Sequence, residues 1–434
     1  MNTDKYRETD RDCIWHPYTK HSALQQDKFL VITRGEGIYL YDTDDHKYLD
    51  AISSWWCCNL GHSHPRIVQA ITEQTQKLQH SILGNMTHPP AIELALKLTE
   101  LVCPEGARVM YASDGACAVE AALKISLQYW HNTGHTKKTK FVSLKNAYHG
   151  DTLGAVSVGY MPSFHKPFEA MVLPGYQAES PCCGTCSHGK DPETCDLECF
   201  ASMAKIINAH AEEIAAVIVE PLCQGAAGMR IYSSKYLKRL YEYCKEKNVL
   251  LIVDEIAMGF GRTGRMFAFE HSDIQPDIVC LGKGLSGGYL PISATVVKKE
   301  IYETFSDQPE DNTFYHGHTF CGNPIASSAA LETLRIYEEE NIIEQANRLG
   351  NLLEKEMSVM SGSDNVRNVR CLGMIGAVEL EDAEMAKKVK SRLMNEGILI
   401  RPLGNVVYLM LPLITPENIL CDAVKRLFNA IKEL

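Results

Sequence analysis

A chain of 434 residues that is 45% hydrophobic and 22% charged can bury a large core, and its length predicts two or three domains. Its formal net charge of -11 argues against a polyanion-binding surface, so no nucleic-acid partner is expected. No stretch is long and apolar enough to span a bilayer, and residues 1–10 lack the apolar core of a signal peptide; the expectation is a cytoplasmic protein with no membrane partner.

In chain order, residues 1–64 read as an N-terminal segment that packs with a smaller C-terminal domain. Between about 65 and 330, apolar strands alternate with amphipathic helices, the pattern of a mostly parallel sheet covered on both faces. The first such unit is a strand at 108–112, a turn at Gly115 and a helix from Cys117 to Trp130. Free amides and the positive end of the helix dipole at that turn can bind phosphate, although the arrangement is common in any α/β protein. A second strand follows at 140–144.

Sixteen cysteines in a reducing compartment are expected to stay as thiols, most of them in core packing. The loop 180–200 is different, because Cys182, Cys183, Cys186, Cys195 and Cys199 cluster there with His188. The C-x-x-C spacing of Cys183 and Cys186, with Cys195 and Cys199 one helical turn apart, suits a tetrahedral zinc; a reduced surface loop and an iron–sulfur cluster remain open. No metal is expected to take part in catalysis, so any ion here is structural or regulatory.

Strands at 215–219 and 248–255 come next, the latter a continuous apolar run that ends in Asp254-Glu255. Another strand, 277–281, leads into Gly282-Lys283-Gly284. An ammonium at the end of a buried strand is costly, so the amine of Lys283 is expected to be partly neutral and able to attack a carbonyl. The glycines around it are expected to admit a flat ligand close to the backbone. Ligands gather at the carboxyl ends of such strands. A lysine and a carboxylate brought to one rim suit pyridoxal 5'-phosphate, whose aldehyde needs an amine and whose ring nitrogen needs an anion. A snorkelling lysine or an Asp254–Lys283 ion pair is the alternative. After Asn323-Pro324 a long helix leads into a C-terminal domain, 331–434, with strands at 374–380 and 405–410 and a final helix near 416–431.

Several segments in this order carry a resemblance over nearly the whole chain. They are Trp15-His16-Pro17-Tyr18, Ser53-Ser54-Trp55-Trp56, Gly61-His62-Ser63-His64-Pro65, Tyr148-His149-Gly150-Asp151-Thr152, Glu220-Pro221-Leu222-Cys223-Gln224-Gly225, Gly259-Phe260-Gly261-Arg262-Thr263-Gly264 and Tyr315-His316-Gly317-His318-Thr319-Phe320. Together with the Asp254 and Lys283 segments they make the chain similar to the class III aminotransferases of the fold-type I pyridoxal phosphate enzymes. The resemblance implies an α/β fold with a large cofactor domain, and a homodimer whose active sites straddle the interface.

It also implies roles. Lys283 would hold the cofactor covalently and shuttle a proton, with Tyr18 beside it as a second catalytic group. Asp254 would pair with the ring nitrogen, and Tyr148 and Ile256 would flank the ring. Gly115 and Ala116 would offer amides to the phosphate, and Thr319 would reach it from the neighbouring subunit. Ala116 stands where relatives usually carry serine, so one hydroxyl contact is expected to be missing. Tyr18, Trp55, Tyr148, Lys283, Gly317 and Arg401 would meet the substrate, with Arg401 on a distal carboxylate. The paired tryptophans resemble the branch that aminates 8-amino-7-oxononanoate, with S-adenosylmethionine as the expected amino donor. Lysine as donor, or another ω-amine substrate, is the alternative; His318 stands where the adenosylmethionine users carry proline.

Overall fold

The computed structural model describes residues 2–26 and 29–434. Seven strands form the central sheet: β1 (Ala107–Ala112), β2 (Lys140–Leu144), β3 (Tyr176–Ala178), β4 (Ile214–Val219), β5 (Leu250–Asp254), β6 (Ile278–Leu281) and β7 (Ser293–Lys298). Their spatial order is β1-β7-β6-β5-β4-β2-β3. β7 runs antiparallel to both its neighbours, and the remaining adjacent pairs are parallel. The fold class is therefore the α/β type that the alternating elements indicate.

The strands are apolar on both faces because both faces are covered. Leu250, Ile252, Ile278 and Cys280 pack toward the helix Gly115–Asn132, here α1, in one core cluster. Their neighbours Leu251, Val253, Val279 and Leu281 belong to the larger cluster on the opposite face. Each such side chain contributes roughly 1.5–3 kcal/mol by leaving water.

Among the described residues there are three smaller sheets, one of them the antiparallel pair Cys223–Gln224 and Arg230–Ile231. Val366–Leu372, Ile375–Leu380 and Val406–Leu409 form an antiparallel sheet, beside which lie the helices Ile342–Ser358, Ala383–Asn395 and Glu417–Lys432. Near the N-terminus, Ile32–Glu36, Tyr39–Asp42 and Lys47–Asp50 form an antiparallel set to which Ile398–Leu399 adds a parallel strand. Arg262 knits these parts together. Fully buried, it donates from Nη1 to Leu411 O at 2.6 Å and from Nη2 to Asn59 Oδ1 at 2.8 Å, and desolvation pushes its guanidinium down to about 10.

Candidate active site

The parallel strands deliver polar groups at their carboxyl ends to one cavity of about 650 Å3. β5 ends in Asp254, β6 leads to Lys283, β4 leads to Glu220, β2 leads to Tyr148, and β1 leads to Asp114 and α1. Strand ends suit this task because their positions are set by the ladder behind them, while the loops beyond are free to carry polar side chains.

Asp254 does not pair with Lys283. Its Oδ2 lies 2.7 Å from Nδ1 of the buried His149, and its Oδ1 accepts the Ile256 N–H at 3.1 Å. Among the described residues Lys283 forms no salt bridge, which removes the ion-pair reading. Lys283 lies in left-handed backbone at φ 43° with Nζ 5.1 Å from the centre of the Trp56 ring. It is open to the cavity and otherwise enclosed by protein. Desolvation lowers its pKa, against the pull of Asp254, Glu220 and Cys57. Burial likewise raises the nearby Glu220 to about 7, although its oxygens accept Tyr148 N–H at 3.1 Å and Gly225 N–H at 2.9 Å.

At the start of α1, Asp114 caps the helix by accepting the Cys117 N–H at 3.0 Å. The amides of Gly115 and Ala116 precede any intrahelical partner and remain available to an anion. A side chain at Gly115 would come within 2.9 Å of Ile256 Cγ2, so this glycine lets the Ile256 side chain sit against the helix start. A Cβ on the neighbouring Gly284 would meet Asn59 Nδ2 at 2.6 Å, so this glycine makes room for the Asn59 side chain, whereas one on Gly282 would lie at ordinary contact distance from Ile256.

Tyr148 lines the cavity, and its hydroxyl donates to Asp151 Oδ2 at 2.7 Å. The same carboxylate accepts a short hydrogen bond from Tyr18, whose phenol is pushed up to about 12 by burial and by Asp151. Tyr18 stands edge-on to Trp55 with ring centres 6.2 Å apart, and the Arg401 guanidinium lies 3.9 Å above the Trp55 ring. No carboxylate among the described residues pairs with Arg401, whose guanidinium stacks on Trp55. Tyr18, Trp55 and Arg401 thus form a rim cluster, while Trp56 lines the cavity itself and donates from Nε1 to Tyr408 at 3.1 Å.

Gly317 and Thr319 are not among the cavity-lining residues of their own chain; both are exposed on the loop before Asn323. The five loop cysteines are reduced and also lie outside the cavity. Among the described residues, the one group of three possible metal ligands within 4.8 Å of one another is Asp42, Asp44 and His46. That group is a turn, in which Asp42 accepts the Asp44 and His46 N–H groups at 2.9 Å each. His149, Glu220, Trp56 and Asp151 were not singled out individually from sequence. A histidine beside the aromatic Tyr148 is the signal that was available, but its partner lies 105 positions away.

The residues present fit a phosphorylated pyridine aldehyde. One cavity holds an amine of lowered pKa, a buried carboxylate fixed by a histidine, an aromatic and an aliphatic wall, and free amides at a helix start.

The comparisons with known proteins agree. Residues 21–431 match the family model "Aminotransferase class-III". The chain is 42% identical to the adenosylmethionine-8-amino-7-oxononanoate aminotransferase of Methanocaldococcus jannaschii, covering 100% of this chain and 99% of that one. The solved structure of the enzyme of that name from the same organism superposes with a TM-score of 0.94 at 40% identity, covering 100% and 99% of the two chains. An omega transaminase from Pseudomonas jessenii, solved in complex with PMP, gives a TM-score of 0.93 at 32% identity over 98% and 97%.

Proposed function

The chain belongs to the class-III aminotransferases and is a pyridoxal-phosphate-dependent aminotransferase, and from that premise we propose that it aminates the ketone of 8-amino-7-oxononanoate with S-adenosylmethionine as donor. That acceptor and that donor belong to biotin biosynthesis, the pathway of the relatives it matches at full length. The observation that carries the reading is the pairing of a cofactor-suited floor around Lys283 with an aromatic rim ending in the unpaired Arg401.

Pyridoxal phosphate, when bound, supplies an aldehyde that takes up amino groups and a conjugated ring that draws electrons from the substrate carbon. Lys283 serves as the anchoring amine and, once displaced by a donor, as the base whose Nζ takes and returns a proton. Its surroundings favour that role, since desolvation shifts the ammonium toward the neutral amine. Asp254, held in place by His149, would present its carboxylate to the ring nitrogen. Tyr148 and Ile256 would flank the ring, and the Gly115 and Ala116 amides would hold the phosphate. Tyr18 orients Tyr148 through their shared carboxylate at Asp151 and closes the substrate side.

An elongated acceptor would lie along Tyr18 and Trp55 with its distal carboxylate on Arg401. Gly317 and Thr319 would complete the phosphate and substrate contacts in a second copy of the chain, as exposed residues of a loop where Tyr315 and Phe320 also keep 81% and 62% of their surface exposed.

A half-reaction tests the assignment. S-adenosylmethionine added to the holoenzyme should bleach the absorption of the bound aldehyde, and 8-amino-7-oxononanoate should restore it. Bleaching by lysine alone would reassign the donor, and restoration by a short ω-keto acid but not by the nonanoate would overturn the acceptor.

A further inference from the structure

The cysteine-rich segment between β3 and β4 has no part in the cavity chemistry, yet it is not a featureless surface loop. Residues 179–197 contain no helix or strand, a length of irregular chain that is uncommon in compact folds without a function of its own. Cys183, Cys186, Cys195 and Cys199, with Cys182 and His188, line one small cavity of about 30 Å3.

The site is held against regular structure. Ser233 and Tyr236, at the start of the helix Ser234–Glu246, close one side of it. The Cys183 N–H donates to Ile231 O at 2.9 Å, and Gly184 O accepts from Asn368 Nδ2 at 2.9 Å. Cationic groups stand close by. Lys190 lines the cavity, while Lys235 Nζ and Arg239 Nη1 donate to the carbonyls of Glu193 and Asp196, each at 3.2 Å.

We propose that Cys183, Cys186, Cys195 and Cys199 form a tetrahedral thiolate site for one zinc-class divalent cation, which clips the loop onto the helix Ser234–Glu246. Each thiol loses its proton to solvent as its sulfur–metal bond forms, with no change of oxidation state. Lys235 and Arg239 supply positive charge beside the tetrathiolate centre, while Lys190 is paired with Glu198 at 3.2 Å. No three of these sulfurs lie within 4.8 Å of one another among the described residues, so side-chain rotation into the shared cavity must accompany binding. Cys182 stands aside, with Sγ 3.2 Å from Thr185 Oγ1.

The test uses the holoenzyme purified from zinc-supplemented cultures. Elemental analysis should find one zinc per chain, and cobalt added after chelation should give the visible bands of a tetrahedral thiolate complex, bleached by zinc. The Cys183→Ser/Cys195→Ser variant should lose both signals and be cleaved faster by trypsin within the loop, with amino transfer within about twofold of the parent, since the loop lies outside the active cavity. Cys182→Ser should keep both. Wild-type protein without stoichiometric metal or cobalt–thiolate bands, cobalt bands that survive in the double variant, or loop thiols recovered as disulfides would overturn the site. The wild-type cobalt spectrum decides the matter even if the double variant fails to fold.

Discussion

At the floor of the active cavity, Asp254 and Glu220 are each only 5% exposed and all four of their oxygens are engaged, whereas at the rim Tyr18 and Trp55 keep 46% and 41% of their surface open. The floor hangs from strand ends of the central sheet. The rim is assembled from distant loops, with Tyr18 at φ 51° and Ser53 to Trp56 in consecutive left-handed backbone. That run is held by Asp50, which accepts the Ser54 N–H at 3.0 Å and the Ser54 hydroxyl at 2.7 Å. Under the proposed function, the floor would serve cofactor chemistry and the rim the choice of substrate.

Mutations should separate the two. Lys283→Ala removes the anchoring amine and the proton shuttle together, and kcat should fall by about 10⁴-fold or more in steady-state assays. Asp254→Asn keeps the shape and removes the charge, with an expected loss of about 10²–10³-fold in kcat and weaker cofactor retention on dialysis. Arg401→Ala should act differently, raising KM for the carboxylate-bearing acceptor by about 10–100-fold with kcat little changed, as removal of a charge-assisted contact worth 1.5–3 kcal/mol implies. A rim variant that mainly lowers kcat would blur the distinction.

Glu255 sharpens the comparison within the floor. Its neighbour faces the cavity, but Glu255 points into the core, where Oε1 accepts the Phe269 N–H at 2.8 Å and Oε2 has no partner. Burial pushes its pKa from 4.5 up to about 8. Protonated Glu255 therefore contributes stability that is fully present below pH 4.5 and is lost as pH rises through about 8. Glu255→Gln should flatten the fall in denaturation midpoint across that window, and an unchanged slope would assign the pH dependence elsewhere. The smallest effect is expected from Ala116→Ser. A restored hydroxyl contact of about 1 kcal/mol should tighten the cofactor about fivefold, measurable by equilibrium reconstitution.

Much of the floor was legible in the sequence because buried parallel strands write continuous apolar runs, and the polar residue that ends each run is conspicuous. The runs ending at Asp254 and leading to Lys283 are such cases, and the resemblance to class III aminotransferases supplied roles for both. β7 was not anticipated, since its first residue is polar and its direction opposes the rest of the sheet. Pairings between distant segments were equally hidden. Nothing local tells that His149 joins Asp254, or that Trp56 lines the cavity while Trp55 turns to Arg401. The glycines around Lys283 were legible as residues, but the close approach of Asn59 to Gly284 comes from elsewhere in the chain and was not.

The most direct test of the account is chemical trapping. Holoenzyme reduced with borohydride and digested should yield one peptide carrying the reduced cofactor, attached at Lys283. A label found on another lysine, or a cofactor that leaves the reduced protein on dialysis, would contradict the assignment of Lys283 as the amine on which the site depends.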